Sequence, residues 1–192
     1  MDSERIQRAV TELLLAIGED PSRPGLARTP ERVAEACEEF FGGLHEDPLA
    51  LLADSIPVGG GGPSEAVVVR DISFRSICEH HLLPFLGVAH IAYLPSDRIV
   101  GLGRLPRVVD TLASRPQLQE RLTEEIADTL ERGLDARGVL VVLDAVHGCV
   151  AARGSRQEAA STLTLASRGE LSDPVRRAEI MSLLGRSGPA HD

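Results

Sequence analysis

Cys78-Glu79-His80-His81 is the densest cluster of metal-ligating and proton-transferring side chains in this sequence. Cys78 and His81 are three residues apart, a spacing that puts both on one face of a helical turn and lets them grip one ion. His80 then points elsewhere. A second group, His147-Gly148-Cys149, closes an apolar run that reads as a strand over Val139–Val150. In an unbroken strand residues two apart share a face, so His147, Cys149, Ala151 and Arg153 would line up together. If both groups face one cleft, Cys78, His81 and Cys149 make a three-ligand zinc set with the fourth position open to water. Closed structural zinc sites take four ligands from paired short spacings, and the sequence has no second Cys-x-x-Cys or histidine pair. His80 and His147 are left to move protons beside that water. The plain alternative is a buried cysteine beside two surface histidines. A zinc deaminase is excluded, because its His-x-Glu and Pro-Cys-x-x-Cys pattern is absent.

The remaining polar residues suit an anionic substrate. Arg104 and Arg107 flank Pro106 at an expected helix start, where backbone N–H groups and the helix dipole favour phosphate. On an extended strand Arg153 would stand ~20 Å from His147 at ~3.3 Å per residue. Each of these arginines taken alone reads as a solvated surface charge. Gln119-Glu120 sits early in an amphipathic helix. A carboxylate there is ordinarily on the solvent face, but held in place it also accepts the paired N–H donors of a guanine edge.

The elements that must position these groups follow from apolar periodicity. Ile6, Val10, Leu13, Leu14 and Ile17 mark a first helix that stops at Gly18. Thr29-Pro30-Glu31 starts a second, with Val33, Cys37 and Phe40 on one face and Gly42-Gly43 at its end. That spacing makes Cys37 a core residue. Strands are expected over Ala66–Ile77, Val88–Leu94, Ile99–Leu102, Val139–Val150 and Ser161–Ala166. Helices are expected over Leu105–Ala113, Gln117–Leu134 and from Asp173-Pro174 to Leu184. Strands in pairs with helices between the pairs indicate an α+β fold with an antiparallel sheet. Residues 1–58 form an N-terminal helical arm, 59–65 a glycine-rich hinge, and 66–192 the main domain.

Composition narrows the classes. The 192 residues carry 20 basic and 29 acidic side chains, a formal charge of −9, and no lysine, so every fixed positive charge is an arginine. An acidic chain is a poor non-specific nucleic-acid binder. No apolar run approaches the ~18 residues of a membrane span. The first ten residues do not read as a signal peptide. Three cysteines without a secretion signal point to a reducing, cytoplasmic setting.

Taken together, these segments resemble the GTP cyclohydrolase I family. The likeness rests on Ser76-Ile77-Cys78-Glu79-His80-His81-Leu82-Leu83-Pro84-Phe85, Ala89-His90-Ile91-Ala92-Tyr93-Leu94-Pro95, Arg115-Pro116-Gln117-Leu118-Gln119-Glu120-Arg121-Leu122-Thr123, and His147-Gly148-Cys149 with Arg153-Gly154. It extends from Thr29-Pro30-Glu31-Arg32-Val33 to the last helix. The resemblance implies the tunnelling fold, an antiparallel sheet with helices on one side, and a homodecameric barrel with active sites between subunits. It implies Zn2+ on Cys78, His81 and Cys149, guanine recognition by Glu120 with Gln119, and His80 and His147 as the acid–base pair. Arg104, Arg107, Arg153 and Arg32 would serve the triphosphate of GTP. The reaction implied opens the guanine imidazole ring, loses formate and closes 7,8-dihydroneopterin triphosphate, the first step of tetrahydrofolate and pterin biosynthesis.

Departures from the family pattern cluster on the phosphate side. Gly101-Leu102-Gly103-Arg104 stands where the family usually has Gly-Leu-Ser-Lys, Glu35 replaces a frequent basic residue, and Arg153-Gly154-Ser155-Arg156-Gln157 replaces Arg-Gly-Val-Lys-Lys. Arginine is a planar fork rather than a point charge, although a lysine-free chain would make that exchange everywhere. Two alternatives therefore accompany the main reading: a paralogous cyclohydrolase with altered phosphate-side specificity, and a zinc-stabilised, non-catalytic scaffold.

Overall fold

The computed structural model describes residues 1–57 and 65–184. The glycine-rich hinge expected over 59–65 lies, apart from Glu65, outside the described residues. The chain divides into two compact units, Met1–Gly42 and Gly43–Asp192.

The first unit is a helical pair, α1 (Ser3–Ala16) and α2 (Thr29–Phe41). Asp2 caps α1 by accepting the Arg5 N–H at 2.9 Å. The sequence suggests Thr29 as the cap of α2, but the helix already includes it, and Arg28 stands at the cap position without a side-chain bond. Cys37 is only half-buried, and desolvation raises its thiol pKa.

The second unit opens with two short 3-10 turns, Gly42–His45 and Pro48–Leu52. There follow β1 (Ile56–Pro57), β2 (Val67–Cys78), β3 (Pro84–Leu94), β4 (Arg98–Ile99), α3 (Arg104–Ala113), β5 (Pro116–Gln117) and α4 (Gln119–Leu134). The chain continues through β6 (Gly138–His147), α5 (Gly148–Ala151), β7 (Thr162–Gly169) and α6 (Pro174–Leu184). Five strands form one sheet in the order β5-β2-β3-β6-β7, and β1 pairs with β4 separately. All main-sheet contacts are antiparallel except the two-residue pairing of β5 with β2, so the sheet is mixed rather than purely antiparallel. The strand expected over Ile99–Leu102 is cut to Arg98–Ile99, because Gly101 turns the chain into α3 through its carbonyl bond to the Arg104 N–H at 2.8 Å.

One face of the sheet presents Ala89, Ile91 and Tyr93 of β3 and Val139, Val141 and Leu143 of β6. They pack on Leu105, Val108 and Leu112 of α3 and Leu122, Ile126 and Leu130 of α4. Each fully buried aliphatic side chain contributes about 1.5–3 kcal/mol. The expectation of helices on one side needs correction. Ala92, Leu140 and Val142 alternate to the opposite face, where α6 covers them with Ile180, Met181 and Leu184.

Helix α3 runs the length of this core. Its last turn is pinned near the end of β2, where the Ser76 hydroxyl donates to the Ala113 carbonyl at 2.7 Å. Its first turn follows Val100, whose N–H donates to the Tyr93 hydroxyl at 3.5 Å, and Tyr93 pairs with Val67 at the opposite end of β2. Arg104 and Ala113 are nine residues apart, ~13.5 Å of helix.

Candidate active site

β2 ends at Cys78, and the chain reverses at once. The Cys78 N–H donates to the Leu83 carbonyl at 2.9 Å, while the Cys78 carbonyl accepts from the N–H groups of His81 at 3.4 Å and Leu82 at 2.9 Å. Leu82 closes the turn in the left-handed region, φ 51°. This single turn brings His81 Nδ1 to 4.0 Å from Cys78 Sγ, as the three-residue spacing requires.

The third metal-ligating group arrives differently from the sequence expectation. β6 stops at His147, and Gly148–Ala151 form a helical turn. Cys149, Ala151 and Arg153 therefore do not line one strand face with His147. The cause is a backbone contact: a Cβ on Gly148 would sit 2.7 Å from the Pro84 carbonyl oxygen, so only glycine lets the chain pass β3 this closely as it leaves the sheet. The turn brings Cys149 back toward Cys78, and the ligand atoms of Cys78, His81 and Cys149 all lie within 4.8 Å of one another.

Two thiols and an imidazole suit a borderline-soft divalent ion. In a tetrahedral zinc site such ligands stand about 3.5–3.8 Å apart, so small side-chain movements close this set. Burial, and next the neighbouring Cys78, push the Cys149 thiol pKa up, while the charge of Arg153 pulls it down. A cation between the two sulfurs reverses the first two effects, since a coordinating thiol is deprotonated. The donor set fits zinc.

His147 adjoins this cluster. It pairs with Phe85 across β6 and β3, and the two rings stack 4.7 Å apart at 4°. Its Nε2 lies 2.7 Å from Gln119 Oε1. Burial lowers its pKa, opposed by the carboxylate of Glu120. Glu120 is exposed in the first turn of α4, while Gln119 is 1% exposed with its amide engaged inside the protein. His80 is exposed on the metal-ligand turn, its ring edge-on to His81 at 6.2 Å.

A brace joins that turn to α4. Arg121 forms an ion pair with Glu79 and donates from Nε to Gln117 Oε1 at 3.0 Å, and the Glu79 N–H donates to the Gln117 carbonyl at 3.1 Å. Sequence reasoning missed both this brace and the Phe85 stack. Glu79 and Phe85 belong to the same segment as Cys78, but their partners depend on non-local pairing.

The remaining expected residues are dispersed. Arg153 is exposed beyond α5, close enough to act on Cys149 electrostatically. Arg104 and Arg107 stand on the first turn of α3, at the end remote from Ser76. There Arg104 donates to Asp54 at 2.9 Å. Arg32 is exposed on α2, in the other unit.

The family model of GTP cyclohydrolase I matches residues 6–185. GTP cyclohydrolase 1 of Leifsonia xyli subsp. xyli is 63% identical over 184 residues, covering 96% of both chains. The enzyme of the same name from Rhodopirellula baltica is 52% identical over 97% of this chain and 81% of its own. That of Thermoanaerobacter pseudethanolicus is 51% identical over 96% of this chain and 97% of its own. Among solved structures, the archaeosine synthase QueF-Like in the apo form overlaps 56% of this chain and 97% of its own, with a TM-score of 0.47 and 14% identity.

Proposed function

This chain belongs to the GTP cyclohydrolase I family, and we propose that it is a zinc-dependent, cytoplasmic GTP cyclohydrolase I. It would open the imidazole ring of the guanine of GTP, release formate and close 7,8-dihydroneopterin triphosphate, the first step toward tetrahydrofolate and related pterins. The observation that carries this reading is the convergence of the Cys78, His81 and Cys149 ligand atoms within 4.8 Å of one another, beside His147.

Cys78, His81 and Cys149 would hold the zinc, which would supply Lewis acidity when bound. Glu120 would accept the paired N–H donors of the guanine edge, a task for which an exposed carboxylate in the first turn of a helix is free. The Gln119 side chain is withdrawn from that edge by its internal bonds. His147 would exchange a proton with the purine nitrogen beside the carbon under attack, its ring held flat by Phe85. His80, exposed on the neighbouring turn, would carry protons to and from solvent in the later steps.

Arg153, Arg104, Arg107 and Arg32 would contact the triphosphate. Arg104 and Arg107 lie at the end of α3 remote from the metal turn, which favours an active site completed by a second copy of the chain. The exposed apolar residues Leu86, Val146, Leu163 and Leu165 on the outer sheet face favour the same arrangement. We accordingly assign the tunnelling fold and a homodecameric barrel with interfacial sites.

Incubation of the purified, zinc-loaded protein with GTP, followed by oxidation, should yield fluorescent neopterin and an equivalent of formate. Zinc-loaded protein that leaves GTP intact would overturn the proposal in favour of a non-catalytic scaffold.

A further inference from the structure

The bonds around Gln119 have a direction that settles which proton its neighbour carries. Its Nε2 lies 2.7 Å from the Thr162 carbonyl, 3.2 Å from the Leu143 carbonyl and 3.1 Å from Thr164 Oγ1. Two of these partners are backbone carbonyls, which only accept, so the amide nitrogen must face them and cannot exchange places with its oxygen. The hydroxyls close the same pattern. Thr123 donates to the Gln119 backbone carbonyl at 2.7 Å, so in the 2.6 Å contact between Thr123 and Thr164 the proton belongs to Thr164. Thr164 Oγ1 is left as an acceptor, so the three neighbours of Nε2 all accept and share its two N–H groups. Nothing in this network is free to invert.

Gln119 Oε1 therefore faces His147, and an oxygen without a proton needs a donor opposite it. At 2.7 Å that donor is His147 Nε2. The Phe85 ring, parallel to the imidazole and fully buried, prevents the ring from tilting out of this bond.

We propose that Gln119 is a positioning residue that holds His147 as its Nε2–H tautomer, leaving Nδ1 as the ring atom that exchanges protons. The proposal rests on the reading of His147 as an acid–base group. It gives Gln119 a role distinct from guanine contact. In that tautomer the Nε2 proton is committed to the protein, so the reacting position on the imidazole is set before any substrate enters.

Solid-state 15N spectra of zinc-loaded protein labelled in histidine, with the His147 signals identified by their loss in His147→Gln, report the tautomer without any substrate. The expected result is a protonated Nε2 and an unprotonated Nδ1 in the unaltered protein. Gln119→Leu should keep its zinc, show a mixture of tautomers and lose at least roughly tenfold in kcat, with KM for GTP changed less than about threefold. A protonated Nδ1 in the unaltered protein overturns the proposal, and that test needs no variant to fold. A raised KM with unchanged kcat in Gln119→Leu also overturns it, in favour of direct guanine contact. If the expected tautomer is found in a protein that does not turn over GTP, the tautomer assignment stands and the cyclohydrolase reading fails.

Discussion

Phe85 and His147 face each other across neighbouring antiparallel strands with their rings 4.7 Å apart and 4° from parallel. Phe85 is fully buried and also meets Phe74 edge-on at 6.1 Å, so it is at once a core residue and one wall of the proposed acid–base site. Phe85→Leu keeps most of the volume but removes both ring contacts. It should cost about 1–2 kcal/mol in denaturant unfolding. It should also lower kcat more than it raises KM, because a tilting imidazole weakens proton transfer before it weakens substrate binding. Equal losses in stability and in KM, with kcat preserved, would show that the stack serves packing alone.

Cys149 and His147 are two residues apart but should separate cleanly by metal analysis. Cys149→Ala removes one of the three proposed ligands and should weaken zinc binding by more than roughly 100-fold, leaving dialysed protein nearly metal-free. His147→Ala leaves all three ligands in place, so zinc content should stay normal while ring opening is abolished. Zinc loss in His147→Ala would make His147 a ligand.

Glu120→Gln exchanges a charged acceptor for an amide that accepts at one atom only. If Glu120 takes two N–H donors of guanine, kcat/KM for GTP should fall about 100-fold. Inosine triphosphate lacks the 2-amino group and should lose much less. Steady-state rates on both nucleotides decide the matter: an equal loss on the two would remove Glu120 from guanine recognition.

Asp54 holds Arg104 in a pair whose carboxylate side chain is 81% exposed. Exposed pairs contribute little, so Asp54→Asn should change stability by less than about 0.5 kcal/mol. With the competing carboxylate neutralised, the KM for GTP should drop about two- to fivefold, as expected for a screened surface interaction worth up to ~1 kcal/mol. A rise in KM would mean that Asp54 aims Arg104 at the phosphate instead of withholding it.

Much of this site is legible in the sequence, and the residues that are not share one physical cause. The ligand types, the three-residue spacing of Cys78 and His81 and the apolar stripe Leu122-Ile126-Leu130 are local patterns. Local patterns follow from helix and turn geometry alone, and the structure places them as that geometry requires. Sequence alone therefore determined the donor set, the existence of α3, α4 and α6, and the family to which the chain belongs. It could not end β6 at His147, because that depends on Gly148 passing the carbonyl of Pro84 on another strand. Nor could it place Gln119 against Leu143 and Thr162, or Phe85 against His147, since those partners meet through strand register and helix docking. Which groups could do chemistry was written in residue type and spacing. Which way each group faces, and which proton it holds, was decided only when distant backbone carbonyls closed around it.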